Sequence, residues 1–161
     1  MSTKRQEGFS LIELLIVVAI IGIVAAIAIP NLLASRRAAN EGSAQSSVRT
    51  LHTAQATYQS TVGAGAYGTL AQLMSQSLID SVLGQANSTA KGGYIFDIID
   101  LSGTGATAQH GVSAVPATTS GVAQTGTRRF AMSQIGVLRG DTTLTAPADV
   151  AAINVMPPLG Y

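Results

Sequence analysis

The chain has no cysteine and no tryptophan, only seven aromatic residues (four Tyr, three Phe), and just 11% of its 161 residues are charged. Without cysteine no disulfide can staple a fold, so a domain built from this chain must hold by packing alone. Lys and Arg number 9 against 8 Asp and Glu, a balance that supplies no basic face for nucleic acid and little solubility by charge. The Arg128-Arg129 pair is read as two charges beside a strand, not as a DNA-binding surface. The two histidines, His52 in a helical stretch and His110 in a Gly/Ser/Thr-rich loop, have no cysteine or carboxylate cluster near them in sequence. The sequence therefore offers no metal centre and no catalytic triad. No phosphate loop is found either. No enzyme and no cofactor are implied.

What the chain does have is a long apolar run carrying one carboxylate. Residues Gly8 to Asn31 read GFSLIELLIVVAIIGIVAAIAIPN, with no polar side chain from Leu14 to Ile29. A helix from Phe9 to Ile29 is roughly 30 Å long at ~1.5 Å per residue, the thickness of a bilayer's hydrocarbon core. Glu13 sits just inside its start. A carboxylate at the bilayer centre costs on the order of 2.5 to 3.5 kcal/mol and less near the end, so one that is tolerated awaits a cation. Lys4 and Arg5 precede the run and hold the N-terminus on the cytoplasmic side. A cut after Gly8 exposes the α-amine of Phe9.

The stretch KRQEGFSLIELLIVVAIIGIVAAIAIPNLLASRRAANE, Lys4 to Glu41 and about a quarter of the chain, closely resembles the class III leader and N-terminal helix of type IV pilins and type II secretion pseudopilins. The shared pattern is Gly before the cut, Phe after it, a carboxylate four residues beyond Phe, and an unbroken apolar helix reaching Pro30. The resemblance implies cleavage between Gly8 and Phe9 by a membrane-embedded prepilin peptidase and N-methylation of Phe9. It also implies pairing of Glu13 with the Phe9 ammonium of a neighbouring subunit, so that a charge costly alone is offset when subunits stack. Similar pilins melt near Pro30 on assembly, which marks Gly22 and Pro30 as the helix break. Two other readings compete. An ordinary secretory signal peptide takes Lys4 and Arg5 as its n-region and Ala26-Ile27-Ala28 as its cleavage site, but leaves Glu13 and the apolar residues beyond Ala28 unexplained. A membrane anchor that is never cut leaves Gly8-Phe9 unexplained.

Removing residues 1–8 deletes Lys4, Arg5 and Glu7 and makes the mature chain formally neutral, with seven cations against seven carboxylates. Past Pro30, which lacks an N–H and kinks a helix, Ala44, Val48, Leu51, Gln55, Tyr58 and Val62 recur at steps of four and three. They form one helical stripe, with Ser43, Ser46, Arg49, Thr53 and Thr57 off it. Gly63 and Gly65 close the helix. Arg36, Arg37 and Glu41 are read as solvated or interfacial helix charges, with filament salt bridges to neighbours as the alternative. One or two short helices are expected in 70–83. Strands are expected at Tyr94 to Leu101, Thr127 to Gln134 and Val137 to Arg139, the last two joined by a turn at Ile135-Gly136. Val112 to Val115 is a weaker candidate inside the Ser/Thr/Ala/Gly stretch 102–126, itself read as a surface loop or a pair of edge strands. The tail, 146–161, is read as extended chain over the sheet, and its acidic neighbours Asp141 and Asp149 as solvated turn residues. The spacing and aromatic surroundings of the pseudopilin calcium motif are missing there. Asn87-Ser88-Thr89 matches an N-glycosylation pattern and is read as unmodified loop.

The fold expected is α+β: a long N-terminal helix, transmembrane in its lower half and amphipathic in its upper half, packed on a small antiparallel sheet as in pilins. Its parts are a leader (1–8), a membrane and filament-core helix (9–30), an amphipathic helix (31–62) and a globular head (63–161). The function expected is that of a type IV pilin, a structural subunit that pools in the inner membrane and is polymerised there by an assembly platform into an extracellular homopolymer. A type II secretion pseudopilin is the alternative within the family, and a membrane-anchored or secreted binding domain the alternative outside it.

Overall fold

The computed structural model describes residues 8–159. The chain divides into two compact units, Met1–Ser35 and Arg36–Tyr161, and one helix, α1 (Leu11–Thr61, 51 residues), contributes to both. In the first unit α1 is largely uncovered among the described residues. Its large apolar side chains, from Leu11 to Leu32, are exposed, most of them by half or more.

In the second unit α1 lies on a four-stranded antiparallel sheet. The strands are β1 (Tyr94–Ser102), β2 (Gln109–Pro116), β3 (Arg129–Ser133) and β4 (Leu138–Asp141), in spatial order β1-β2-β3-β4. Register puts Phe96 opposite Ala114, Val112 opposite Met132, and Met132 opposite Leu138. These residues share one face and pack with Ala44, Val48, Leu51, Ala54 and Tyr58 of α1 in the main core. The stripe from Ala44 to Tyr58 is thus buried, as its spacing requires. Gln55 belongs there although polar, because both ends of its amide are bonded: the Gly68 N–H donates to its Oε1 at 2.9 Å and its Nε2 donates to the Gly68 carbonyl. Val62 departs from the stripe. The helix ends at Thr61, Ala64 and Gly65 take positive φ (48° and 90°), and Val62 is left exposed.

Two short helices, α2 (Leu70–Ser75) and α3 (Ser81–Gly84), follow α1, each with a side-chain cap, Thr69 and Asp80 respectively. They contribute Leu70, Leu73 and Leu83 to the core. The β3–β4 turn carries Gly136 at φ +80°, where an L side chain would be strained.

Two expectations are corrected. The strand expected at Val112 to Val115 is present, but it is part of neither a loop nor an edge pair: residues 109–116 form β2, a central strand hydrogen-bonded to β1 and β3. Its composition hides it: Gly111, Ser113 and Ala114 have little β propensity, yet small residues are what this position needs. A Cβ on Gly111 would stand 2.6 Å from Ile153 Cδ1 and 2.9 Å from Ile99 Cγ1. The tail is not wholly extended either. It forms α4 (Val150–Val155), whose Ile153, with Met156, packs on Ala131 and Ile99 across the sheet's second face. Only beyond it does the chain run alongside β4, with Gly140 N–H donating to Pro157 O at 3.1 Å and Leu159 N–H to Leu138 O at 3.0 Å.

Candidate assembly site

The first turn of α1 places the sequence's site residues. Gly8, Phe9 and Ser10 precede the helix, and Phe9 is 87% exposed. Glu13 is the third helical residue. Its Oε2 accepts the Ser10 N–H at 2.8 Å, one of the amide donors that a helix start leaves without an internal partner. Ser10 and Glu13 thus form half of a capping box, and the helix dipole favours a carboxylate at this end. The Ser-x-x-Glu spacing carried this signal in the sequence, where only the charge of Glu13 was read. The carboxylate is therefore held at the helix end. Met1 to Glu7, with the leader's Lys4 and Arg5, lie outside the described residues.

From there on the helix is a bare apolar rod. An 18-residue window of α1 reaches a mean hydropathy of 3.1 with none of it buried. Gly22 and Pro30 are both helical in this single chain. At Pro30 the backbone donor is missing, and one residue on Asn31 Nδ2 donates to the Ile27 carbonyl at 3.0 Å, adding a side-chain bond beside the gap.

A matching segment describes this stretch in other proteins. Residues 3–29 match the family model of the prokaryotic N-terminal methylation motif. The type IV major pilin protein PilA of Myxococcus xanthus is 50% identical over 54 residues, 34% of this chain and 24% of that protein. The type IV wide pilus major component PilA4 of Thermus thermophilus is 63% identical over 38 residues, 24% of this chain and 29% of that protein. The type II secretion system core protein G of Aeromonas hydrophila is 36% identical over 59 residues, 37% of this chain and 41% of that protein. The matches span about a quarter of the two pilin relatives' length. No solved structure matches the chain.

In the second unit Arg36 is exposed, as read from the sequence, but several other charges are paired within the chain. Glu41 is 7% exposed and is neither a solvated helix charge nor a group left over for a neighbour. It accepts four hydrogen bonds, from Thr127 N–H (2.8 Å), Thr127 Oγ1 (2.7 Å), and Arg128 Nε (3.0 Å) and Nη2 (2.9 Å). Asn40 Nδ2 donates to the Thr125 carbonyl at 2.9 Å and Arg37 Nη1 to Gln124 Oε1 at 3.5 Å, so one helix turn straps down the loop before β3. Arg129 pairs with Asp141 at 2.8 Å through two bonds, and Asp149 caps α4 through the Ala152 N–H. Neither aspartate is a free turn residue, and neither arginine of the 128–129 pair is spare. Sequence reasoning missed these pairings because the partner of Glu41 lies more than eighty residues away, Asp141 lies just past the strand expected at Val137 to Arg139, and Asp149 caps an unrecognised helix.

The fold also brings His52 of α1 and His110 of β2 together, with ring centroids 5.5 Å apart. Burial, helped by the neighbouring His52, pushes His110 down to about 4, and burial lowers His52 as well. Both rings are neutral at pH 7.

Proposed function

We propose that this chain is the structural subunit of a type IV pilus, cut between Gly8 and Phe9 by a prepilin peptidase, N-methylated at Phe9 and polymerised through α1. The observation that carries this reading is the uncovered apolar length of α1 with a single carboxylate, Glu13, held at its N-terminal end. Such a surface is stable only in lipid or among other helices like it, which is the course of a subunit that waits in the inner membrane and is then extracted into a filament. In lipid the Glu13 charge has no cation to pair with. In the filament the Phe9 ammonium of a neighbour meets it and offsets its cost. The relatives named pilins match at higher identity than the core protein G relative, which favours a pilus over a secretion pseudopilus. The engagement of Asp141 and Asp149 in bonds within the chain points the same way.

Gly22 and Pro30 are the two residues of this length least committed to helix, at about 1 and about 3 kcal/mol relative to Ala. We place the unwinding that lets the subunit lengthen in the filament between them.

The test is Glu13→Ala together with mass spectrometry of the subunit's N-terminus. The variant inserts into the membrane and is cut at Gly8, but yields few or no sheared surface filaments. Normal filament yield, or a filament-associated subunit that begins at Met1 or Ile29, would refute the proposal.

A further inference from the structure

The second unit carries opposite charges at its two ends. Strand β1 starts beside the early part of α1, where Lys91 Nζ donates to Ser47 Oγ at 3.4 Å and Asn40 stands against Gly93. It ends where α1 ends, since the Gly105 N–H just past it donates to the Gly65 carbonyl at 2.9 Å. Gly93 to Asp100 is about 20 Å of strand at ~3.3 Å per residue, and Arg36 lies about 6 Å before Asn40 on the helix at ~1.5 Å per residue. Arg36 and Asp100 are thus roughly 25 Å apart along the unit. They share a flank. Arg36 and Ser47 are separated by about three helical turns, so Arg36 is on the side of α1 beside which β1 starts.

At the base, Glu41 is taken by Arg128 and Asp141 by Arg129. Arg36 is exposed, and its side chain has no hydrogen bond or ion pair among the described residues. The Lys91 ammonium there meets a hydroxyl and no carboxylate. At the top the sign is reversed. Asp100 Oδ2 accepts the Val150 N–H at 3.2 Å and Asp149 Oδ1 the Ala152 N–H at 2.7 Å, which gathers two exposed carboxylates at the start of α4. One oxygen of Asp149 and one of Asp100 have no partner among the described residues. No Lys or Arg occurs in 56–68, 99–110 or 148–154, the segments that meet at this end. We propose that the base of one copy docks on the top of the next, Arg36 pairing with Asp100 and Asp149. This contact rests on the pilus reading, in which every α1 points the same way along the filament and a base faces a top. Copies set side by side at one height would instead oppose like charges. Exposed ion pairs are weak singly, but a filament repeats this one at every subunit.

The experiment uses filaments sheared from cells that express Arg36→Lys. They are treated with a carbodiimide, which joins an amine directly to a carboxylate, and the cross-linked peptides are read by mass spectrometry. The charge at position 36 is kept, so this variant must assemble as wild type does. Position 36 is expected to couple to Asp100 or Asp149. Across roughly 25 Å this link cannot form within one chain, so it also appears as a ladder of multimers on a denaturing gel. Arg36→Glu breaks no bond inside the chain. It is expected to leave the thermal midpoint of the subunit in detergent unchanged and to lower filament yield several-fold. Coupling of position 36 to other carboxylates, failure of Arg36→Lys to assemble, or a normal filament yield from Arg36→Glu overturns the contact and leaves the pilus reading intact. So does the absence of any coupling at position 36, which assigns Arg36 to lipid headgroups before assembly. An unsubstituted chain that makes no filaments overturns both.

Discussion

Replacing Glu41 by Ala should destabilise the second unit by about 2 to 4 kcal/mol. The carboxylate accepts four bonds, two of them from the Arg128 guanidinium. Bonds to charged groups contribute about 1.5 to 3 kcal/mol each and neutral ones about 0.5 to 1.5, without simple additivity. Breaking a fully buried pair costs about 3 to 5 kcal/mol, but the Arg128 side chain is 41% exposed and Thr127 is exposed too. Both regain water in the variant, which holds the loss toward the lower end. For a unit of this size the thermal midpoint should fall by roughly 10 °C. The pH dependence is the sharper part. Burial raises the pKa of Glu41, but the Thr127 bonds and Arg128 outweigh it and bring the group below its ordinary 4.5. A depressed folded pKa means that this stabilisation is fully present above the unfolded value and is lost as pH falls through the folded one. The gap between wild type and Glu41→Ala should therefore be constant from pH 7 to about 5 and narrow below about 4.5. Thermal unfolding followed by circular dichroism in detergent, from pH 3 to 7, measures it. A gap under about 0.5 kcal/mol at pH 7, or one that does not narrow in acid, would show that the strap does not hold the loop.

Gln55→Leu should cost about 2 to 4 kcal/mol, because it leaves the Gly68 N–H and carbonyl without partners in the core; a denaturant midpoint like that of wild type would contradict this. Gly111→Val forces Ile153 and Ile99 apart and should cost about 1 to 3 kcal/mol by overpacking, with faster hydrogen exchange confined to α4 and β2. Pro30→Ala should give a straighter, continuous helix and filaments that are less extensible or assemble poorly. Force spectroscopy on single filaments checks the first outcome and a filament count the second, and extensible filaments at normal number would remove the case for unwinding.

The sequence revealed what depends on periodicity and concealed what depends on distance. Spacing alone placed Ala44, Val48, Leu51, Gln55 and Tyr58 on the sheet, because a helix repeats its buried face every three or four residues. Strand β1 was legible for a similar reason, with Tyr94 and Phe96 alternating inward. Strand β2 was only faintly legible, at Val112 to Val115, since its centre includes Gly111, Ser113 and Ala114, residues of low strand propensity, with Gly111 kept small by Ile153 and Ile99. Helix α4 is six residues long, nearly all apolar and too short to show a period, although Asp149 before Val150 was a usable cap signal. The assembly site was read from the charge of Glu13 and the Gly8-Phe9 pair, both local. Contacts such as Glu41 with Arg128 or His52 with His110 join residues that only the folded chain brings together, and no pattern within a window reports them.

The central claim, that subunits stack through α1 with Glu13 against a neighbour's amine, is tested most directly by a cryo-EM map of filaments sheared from cells. The map should show this chain beginning at Phe9, its apolar helix enclosed by other copies, and the Glu13 carboxylate within about 4 Å of the Phe9 nitrogen of another subunit, the range of an ion pair. A map in which residues 11–35 are not covered by neighbouring helices, or in which Glu13 faces no ammonium, would contradict the account.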